Sequence, residues 1–380
     1  MQNTTKGCIL VVGAGFAGAV HARELAEAGY MVEVIDQRPH IGGNAFDFVD
    51  ENGVRVHRYG PHLFHTNQDA VVAWLTRFAP FVPYVHRVRA VLDDGRFVPL
   101  PVNLDTINLV FDLHLPDAAA AAAFLQEVAV PCPTPRNAAE HLYASIGQKL
   151  TDLFFRPYTR KMWALDLEEM DASVVKRLPI RMDRDDRYFP GDKHQILPER
   201  GYTDLFERLL DHQAIRVRTS TAYEPGAERQ YHHCFNSMPI DAFFDFRLGE
   251  LPYRSIRFQT ETRQHCGARP WSVTNFTDDR PQTRETWWHC LPHHLVEDTG
   301  RQSITLETPC DYRDNAMERY YPVKTADGRY QLLYEQYKEL AADLPTMSFI
   351  GRCGTYQYLD MDQVINQSLM NVRRWLGLNA

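Results

Sequence analysis

The strongest constraint on this chain is six residues long. Gly13-Ala14-Gly15-Phe16-Ala17-Gly18 lies between an apolar run, Cys8-Ile9-Leu10-Val11-Val12, and a segment with a helical stripe at Val20, Leu25 and Ala26 that ends at Gly29. A short, wholly apolar run suits a strand buried on both faces of a parallel sheet. The first glycine allows a tight turn, the second lets backbone approach a pyrophosphate, and the third lets helix pack on strand. Glycine-rich turns are common, so the pattern has meaning only between a strand and a helix, which is where it stands here. Met31-Val32-Glu33-Val34-Ile35 reads as the second strand. Asp36 closes it 21 residues after Gly15, where an acid would accept ribose hydroxyls.

Composition removes several other classes. The 380 residues carry 41 Lys and Arg against 49 Asp and Glu, a formal charge of −8. That leaves no basic surplus to neutralise a nucleic-acid backbone. Hydrophobic residues at 44% and charged residues at 24% are those of a globular chain, not a disordered one. No apolar stretch approaches the ~20 residues of a membrane span. The run from Cys8 to Val20 behind Lys6 has about the length of a signal-peptide core, but its glycine spacing argues for the turn instead. Seven scattered cysteines without a Cys-x-x-Cys pair argue against a disulfide framework and fit a reducing cytoplasm, the expected setting.

Beyond residue 75 the texture changes. Val82 to Leu100 alternates around an Asp93-Asp94-Gly95 turn and reads as hairpin strands. Leu104 to about Met170 reads as helical, with Asp117 as the N-cap of the alanine run Ala118–Ala123 and a break at the prolines of Val130–Pro135. Strand-like segments fill roughly 176–325. Tyr330–Leu344 is an expected helix, Met347–Gly351 a last buried strand, and Met361–Leu376 a final helix. A βαβ start, a foreign middle and a strand–helix finish suggest one nucleotide-binding domain interrupted by insertions.

The run Asp36-Gln37-Arg38 followed by Gly42-Gly43-Asn44 extends the glycine turn into a pattern that resembles the long fingerprint of FAD-binding flavoproteins. Further motifs narrow the resemblance. Tyr59-Gly60-Pro61-His62-Leu63-Phe64-His65-Thr66, Leu100-Pro101-Val102-Asn103, Phe154 to Trp163, Lys176 to Arg181, Tyr188-Phe189, Asn275-Phe276-Thr277-Asp278, Thr283-Arg284, Tyr320-Tyr321-Pro322-Val323 and Gly351-Arg352 to Met361 occur in order along the chain. Together they resemble UDP-galactopyranose mutases.

The resemblance implies an α/β fold. Residues 1–75, 195–245 and 325–380 would form a Rossmann-like FAD domain, 102–175 a helical insertion with a mobile substrate loop, and 76–101, 176–194 and 246–324 a twisted antiparallel sheet. It implies a homodimer. It also implies interconversion of the pyranose and furanose forms of a nucleotide sugar, most simply UDP-galactose, with reduced FAD. In that scheme the reduced flavin N5 attacks the anomeric carbon, a form of covalent catalysis. Gly13, Gly15, Phe16, Gly18, Asp36, Gln37, Arg38, Gly42, Gly43, Asn44, Arg352, Asp360 and Met361 would hold the cofactor, with His62 beside its ring. Arg177 and Arg284 would grip the diphosphate, a task suited to the guanidinium fork. Tyr188, Tyr321 and Tyr358 would donate hydroxyls, Phe154, Phe155 and Tyr158 would stack on the base, Trp163 would border the sugar, and Asn103 and Asn275 would hydrogen-bond the substrate.

The chain departs from the family pattern at Arg156-Pro157, at Met162 and Ala164 around Trp163, at Glu285 to His289 and at Cys353-Gly354-Thr355. These changes leave open UDP-N-acetylgalactosamine, a dTDP-deoxysugar or another hexose or heptose nucleotide as substrate. An amine-oxidase-like oxidoreductase shares the FAD fingerprint, and a flavin-binding protein without catalysis is the third reading. His289-Cys290-Leu291-Pro292-His293-His294 invites a metal site, but Pro292 breaks any helix that would face its histidines together, so no metal is expected.

Overall fold

The computed structural model describes residues 6–175, 180–265, 267 and 269–377. Its first layer is a parallel sheet of five strands in the order Ile215–Arg218, Met31–Ile35, Cys8–Val12, His233–Asn236, Met347–Phe349. The central strand pairs on both sides, and Ile9 and Val11 are fully buried, which is why it reads as an unbroken apolar run. The first helix, Phe16–Glu27, and the last, Met361–Trp375, pack together over this sheet. Five strands drawn from the two ends and the middle of the chain thus build one parallel layer.

The helix leaves the strand at very close range. A Cβ added at Gly18 would stand 1.8 Å from the Gly13 carbonyl oxygen, so only glycine lets helix and turn meet. Asp36 then ties the second strand to the turn, its Oδ2 accepting the Ala14 N–H at 2.8 Å.

The second layer is a seven-stranded sheet in the order Tyr321–Pro322, Tyr253–Gln264, Arg301–Asp311, Arg284–Trp287, Val273–Phe276, Val88–Val91, Phe97–Leu100. It is antiparallel except between Val273–Phe276 and Val88–Val91, which run parallel. The expectation of a wholly antiparallel sheet needs that correction. The Val88–Leu100 hairpin joins from a distant part of the chain, so no tight turn forces antiparallel pairing there. A three-stranded sheet of Phe64–Thr66, His194–Pro198 and Phe81–Pro83 joins the core of the parallel sheet through Phe64 and Leu197. Phe78 and Ala79 belong to the core of the parallel sheet, so that core runs past residue 75. Helix Arg329–Ala342 meets the large sheet through Tyr337, buried with Leu251 and Tyr253.

Helices Leu104–Phe111, Ala118–Val128, Ala138–Leu150 and Arg156–Trp163 form the insertion, with Asp117 capping the second as expected. Within the strand-rich middle the helix Gly201–Leu210 was not anticipated. Its buried Tyr202, Leu205, Phe206 and Leu209 follow helical spacing. No described helix is long and apolar enough to cross a membrane.

Gly18→Ala is expected to destabilise the protein by roughly 1–3 kcal/mol through forced displacement of the first helix, read as a lower urea midpoint. An unchanged midpoint would contradict this packing.

Candidate active site

A single cleft of about 1160 Å³ opens where the parallel sheet, the large sheet and the helical insertion converge. One end is the glycine turn. Gly15 is the N-cap of the first helix, without a side-chain cap, and no acid lies in the first turn. Such an end offers free amides and a partial positive charge to a phosphate. The second glycine pair is braced against the first, since a Cβ at Gly43 would lie 2.9 Å from the Gly15 Cα. Asp36 lines the cleft, its Oδ1 accepting the Arg38 N–H at 2.9 Å.

Arg38 bridges to the far wall. Its guanidinium donates to Asn44 Oδ1 at 2.9 Å, lies 4.4 Å from the centre of the Tyr59 ring, and pairs with Glu318. Burial lowers the Arg38 pKa, but Glu318 outweighs it and the net shift is upward. Phe16, Gln37 and Met361 also line this end. Asp360 does so as a reciprocal helix cap, its N–H donating to Gln363 Oε1 at 2.9 Å. Arg352 lies over the rings of Tyr321 and Tyr358, and its buried Nε has no partner. His62 lies where this end meets the rest of the cleft. Its Nδ1 is 2.8 Å from the Gly60 carbonyl, an acceptor, so Nδ1 carries the proton. Burial, with Arg352 and Arg284 nearby, lowers its pKa to about 4.

The other end is built on strand Arg284–Trp287. Antiparallel register sets Arg284 opposite Glu307 on Arg301–Asp311, with Arg284 Nε 2.7 Å from Glu307 Oε2. Glu307 is fully buried, and neither of its oxygens makes a directed hydrogen bond. Burial opposes the charge on Arg284, but Glu307 and the hydroxyls of Tyr158 and Tyr321 raise its pKa on balance. A guanidinium held charged at a cleft wall suits an anionic ligand. Tyr321 and Tyr358 stack at 5.3 Å beside Trp163, and Tyr188 packs on His86 and Phe189. Burial raises the Tyr158 and Tyr321 pKa values, so both hydroxyls remain donors.

Phe154 and Phe155 reach the cleft from a single π-helical turn, Thr151–Phe155, ahead of Arg156–Trp163. Such turns recur at functional sites. Lys161 fixes that helix over the sheet by donating to the carbonyls of Phe276, Asp278 and Gln282 at 3.0–3.1 Å. Asn275 lines the cleft with a buried Oδ1 that has no partner.

Two expected residues stand elsewhere. Asn103 is not on the cleft wall. It is fully buried as the N-cap of Leu104–Phe111, accepting the Thr106 N–H at 2.9 Å, so its amide serves the helix. Gly18 packs on Gly13 behind the wall. Arg177 lies outside the described residues. Several departures from the family pattern also fall off the wall. Arg156 pairs with Asp152 and Glu168 instead, and none of Glu285 to His289 lines the cleft. Glu307, His86, Glu318 and the His65–Asp192 pair (2.6 Å) escaped sequence reasoning, because each meets its partner through long-range register or packing.

The fold and the cleft define a Rossmann-like dinucleotide-binding protein, and residues 11–78 match the family of NAD(P)-binding Rossmann-like domains. Residues 153–358 match the UDP-galactopyranose mutase family. A Klebsiella pneumoniae protein described as "Probable UDP-galactopyranose mutase" is 37% identical over 97% of this chain and 94% of its own length. The dTDP-fucopyranose mutase of Escherichia coli is 35% identical over 95% of this chain and 96% of its own length. A crystal structure of reduced UDP-galactopyranose mutase superposes with a TM-score of 0.77 at 18% identity, covering 98% of this chain and 94% of that one. The chain belongs to the UDP-galactopyranose mutase family. It is an isomerase, a nucleotide-sugar pyranose mutase.

Stability is expected to fall in mild acid. Burial lowers the pKa values of His21, His62 and His294 to about 4 and of His86 to about 3. The unfolded chain binds protons near pH 6.5 that these folded rings refuse, so stability present above that pH is lost as pH falls towards 4. The loss from pH 7 to pH 5 is on the order of 2 kcal/mol per histidine, read from urea midpoints. A flat profile would contradict neutral buried rings.

Proposed function

We propose that the dinucleotide is FAD in its reduced form and that the reaction interconverts the pyranose and furanose forms of a nucleotide-diphosphate sugar, UDP-galactose first. The observation that carries this is one cleft containing both an uncapped glycine turn and a charged arginine ringed by tyrosines. The residues present fit FAD: free amides at the Phe16–Glu27 helix suit its pyrophosphate, Asp36 suits its ribose, and the unpartnered Arg352 Nε, near His62, suits an acceptor on its ring. When bound, reduced flavin would supply a nucleophilic nitrogen for the anomeric carbon.

The chain's own residues do the rest. Arg284 holds the diphosphate through its remaining N–H groups while Glu307 fixes its orientation. Tyr188, Tyr321 and Tyr358 donate to phosphate or sugar oxygens. Phe154, Phe155 and Tyr158 form the apolar side for the base, and Trp163 closes the sugar side. The unpartnered Asn275 Oδ1 accepts a sugar hydroxyl. Arg177 belongs to this proposal as a second diphosphate ligand, as do a homodimer and a cytoplasmic setting.

Two curated relatives of nearly equal identity are named for different sugars, so the substrate must be found by trial. FAD-loaded protein reduced with dithionite is expected to convert UDP-galactopyranose, UDP-N-acetylgalactosamine or dTDP-fucopyranose to its furanose form. Loss of a charge-assisted contact worth about 1.5–3 kcal/mol makes Arg284→Ala roughly ten- to a hundred-fold slower in kcat/KM. Near-normal turnover in that variant, with flavin retained, would refute the role of Arg284.

A further inference from the structure

The run His289–His294 has no part in the reading above, yet it ends directly beneath His62. The His62 backbone N–H points at His57 Nδ1, 3.1 Å away. An N–H can be met only by a lone pair, so His57 Nδ1 is bare and its proton sits on Nε2. His57 Nε2 lies 3.0 Å from His294 Nε2, which must therefore accept. That leaves the His294 proton on Nδ1, 2.8 Å from the carbonyl of Pro292, an acceptor only. Each ring thus carries one proton and one lone pair, and this is the assignment that satisfies every contact in the row.

We propose that His57, backed by His294, is a positioning residue that pins the His62 loop and leaves His62 a hydrogen-bond acceptor towards the bound cofactor. Strand Arg55–His57 is stitched to the run by the Arg55 N–H, which donates to the His294 carbonyl at 2.7 Å. Trp288, fully buried, packs 4.9 Å from the His57 ring and parallel to His294, and Tyr202 meets His57 edge-on at 5.5 Å. The loop has no slack on its other face. Gly60 has φ +82°, and a Cβ there would stand 2.8 Å from Phe258 and 3.2 Å from Glu307 Oε1. The His62 loop is therefore clamped between the histidine row and the Arg284–Glu307 pair. Within it the His62 Nδ1–H goes to the Gly60 carbonyl, so the nitrogen left for the cleft is Nε2 with its lone pair.

Burial, then the neighbouring His294 and His62 and the cation Arg55, hold His57 well below its ordinary pKa, which agrees with a neutral row. An acceptor-only imidazole favours a partner that offers an N–H. Flavin gains such an N–H at N5 on two-electron reduction, where the oxidised ring presents only a lone pair. A fixed His62 therefore favours the reduced cofactor over the oxidised one. That consequence rests on the reading of FAD with its ring at His62, whereas the tautomer row does not.

Two measurements separate them. In histidine-labelled holoenzyme, nitrogen NMR is expected to show neutral rings with the proton on Nε2 of His57 and on Nδ1 of His62 and His294. Any other assignment overturns the row, whatever the cofactor proves to be. His57→Asn keeps an acceptor where Nδ1 stood, whereas His57→Phe keeps only the ring stack. His57→Phe is expected to lower the preference for reduced over oxidised FAD, as a ratio of dissociation constants, roughly tenfold or more, with His57→Asn close to the parent. Equal ratios in all three proteins, or an equal loss in both variants, would overturn the positioning role. If His57→Phe does not fold, a His57→Asn ratio well below the parent, or a parent spectrum with any other proton assignment, still overturns the proposal, and a spectrum with the expected row supports it.

Discussion

The contact of the first helix with the glycine turn governs the rest of this molecule. Because Gly18 has no side chain, the helix starts against the Gly13 carbonyl, and its first amides face outward. Asp36 fixes the turn by accepting the Ala14 N–H, and Gly43 backs against Gly15 so that a third piece of chain closes the cradle. A larger residue at any of these close approaches would push the helix away from the central strand. The glycine end of the cleft exists because three backbone segments approach more closely than side chains permit.

The Arg284 end of the cleft depends on a different physics. A buried carboxylate, Glu307, stands opposite Arg284 in strand register and keeps the guanidinium charged at the cleft wall. Removing one partner of such a pair strands the other in a dry interior, an error costing about 3–5 kcal/mol. Lys161, bound to three carbonyls, holds the helix that carries Tyr158 and Trp163 against the same sheet. Charge is thus fixed by one strand pair and the aromatic wall by one lysine.

What could be read from the sequence was local. The strand Cys8–Val12, the turn and Asp36 are contiguous and carry their own geometry, as does the Asp117 cap. Asn103 shows the limit of reading by motif: Asn-Leu-Asp-Thr is also a good helix start, and the cap took the amide. Glu307 was invisible because a lone acid in a strand acquires its meaning only from the residue across the ladder. His57 and His294 are 237 positions apart, and no spacing rule links them. The unusual residues Glu285 to His289 looked like changes to the pocket, but strand alternation and burial turned them away from it, with Trp288 lying beneath the histidine row.

The central claim is that the two ends of the cleft cooperate: a cofactor seated in the glycine cradle must be electron-rich for a sugar held at Arg284 to change ring size. An anaerobic titration tests this most directly. FAD-loaded protein is reduced stepwise, and pyranose–furanose exchange is followed at each step together with the reductant consumed. The account predicts exchange in proportion to the reduced fraction, none in the oxidised protein, and no reductant used per turnover. Exchange by fully oxidised protein, or consumption of one reductant for each product formed, would contradict it.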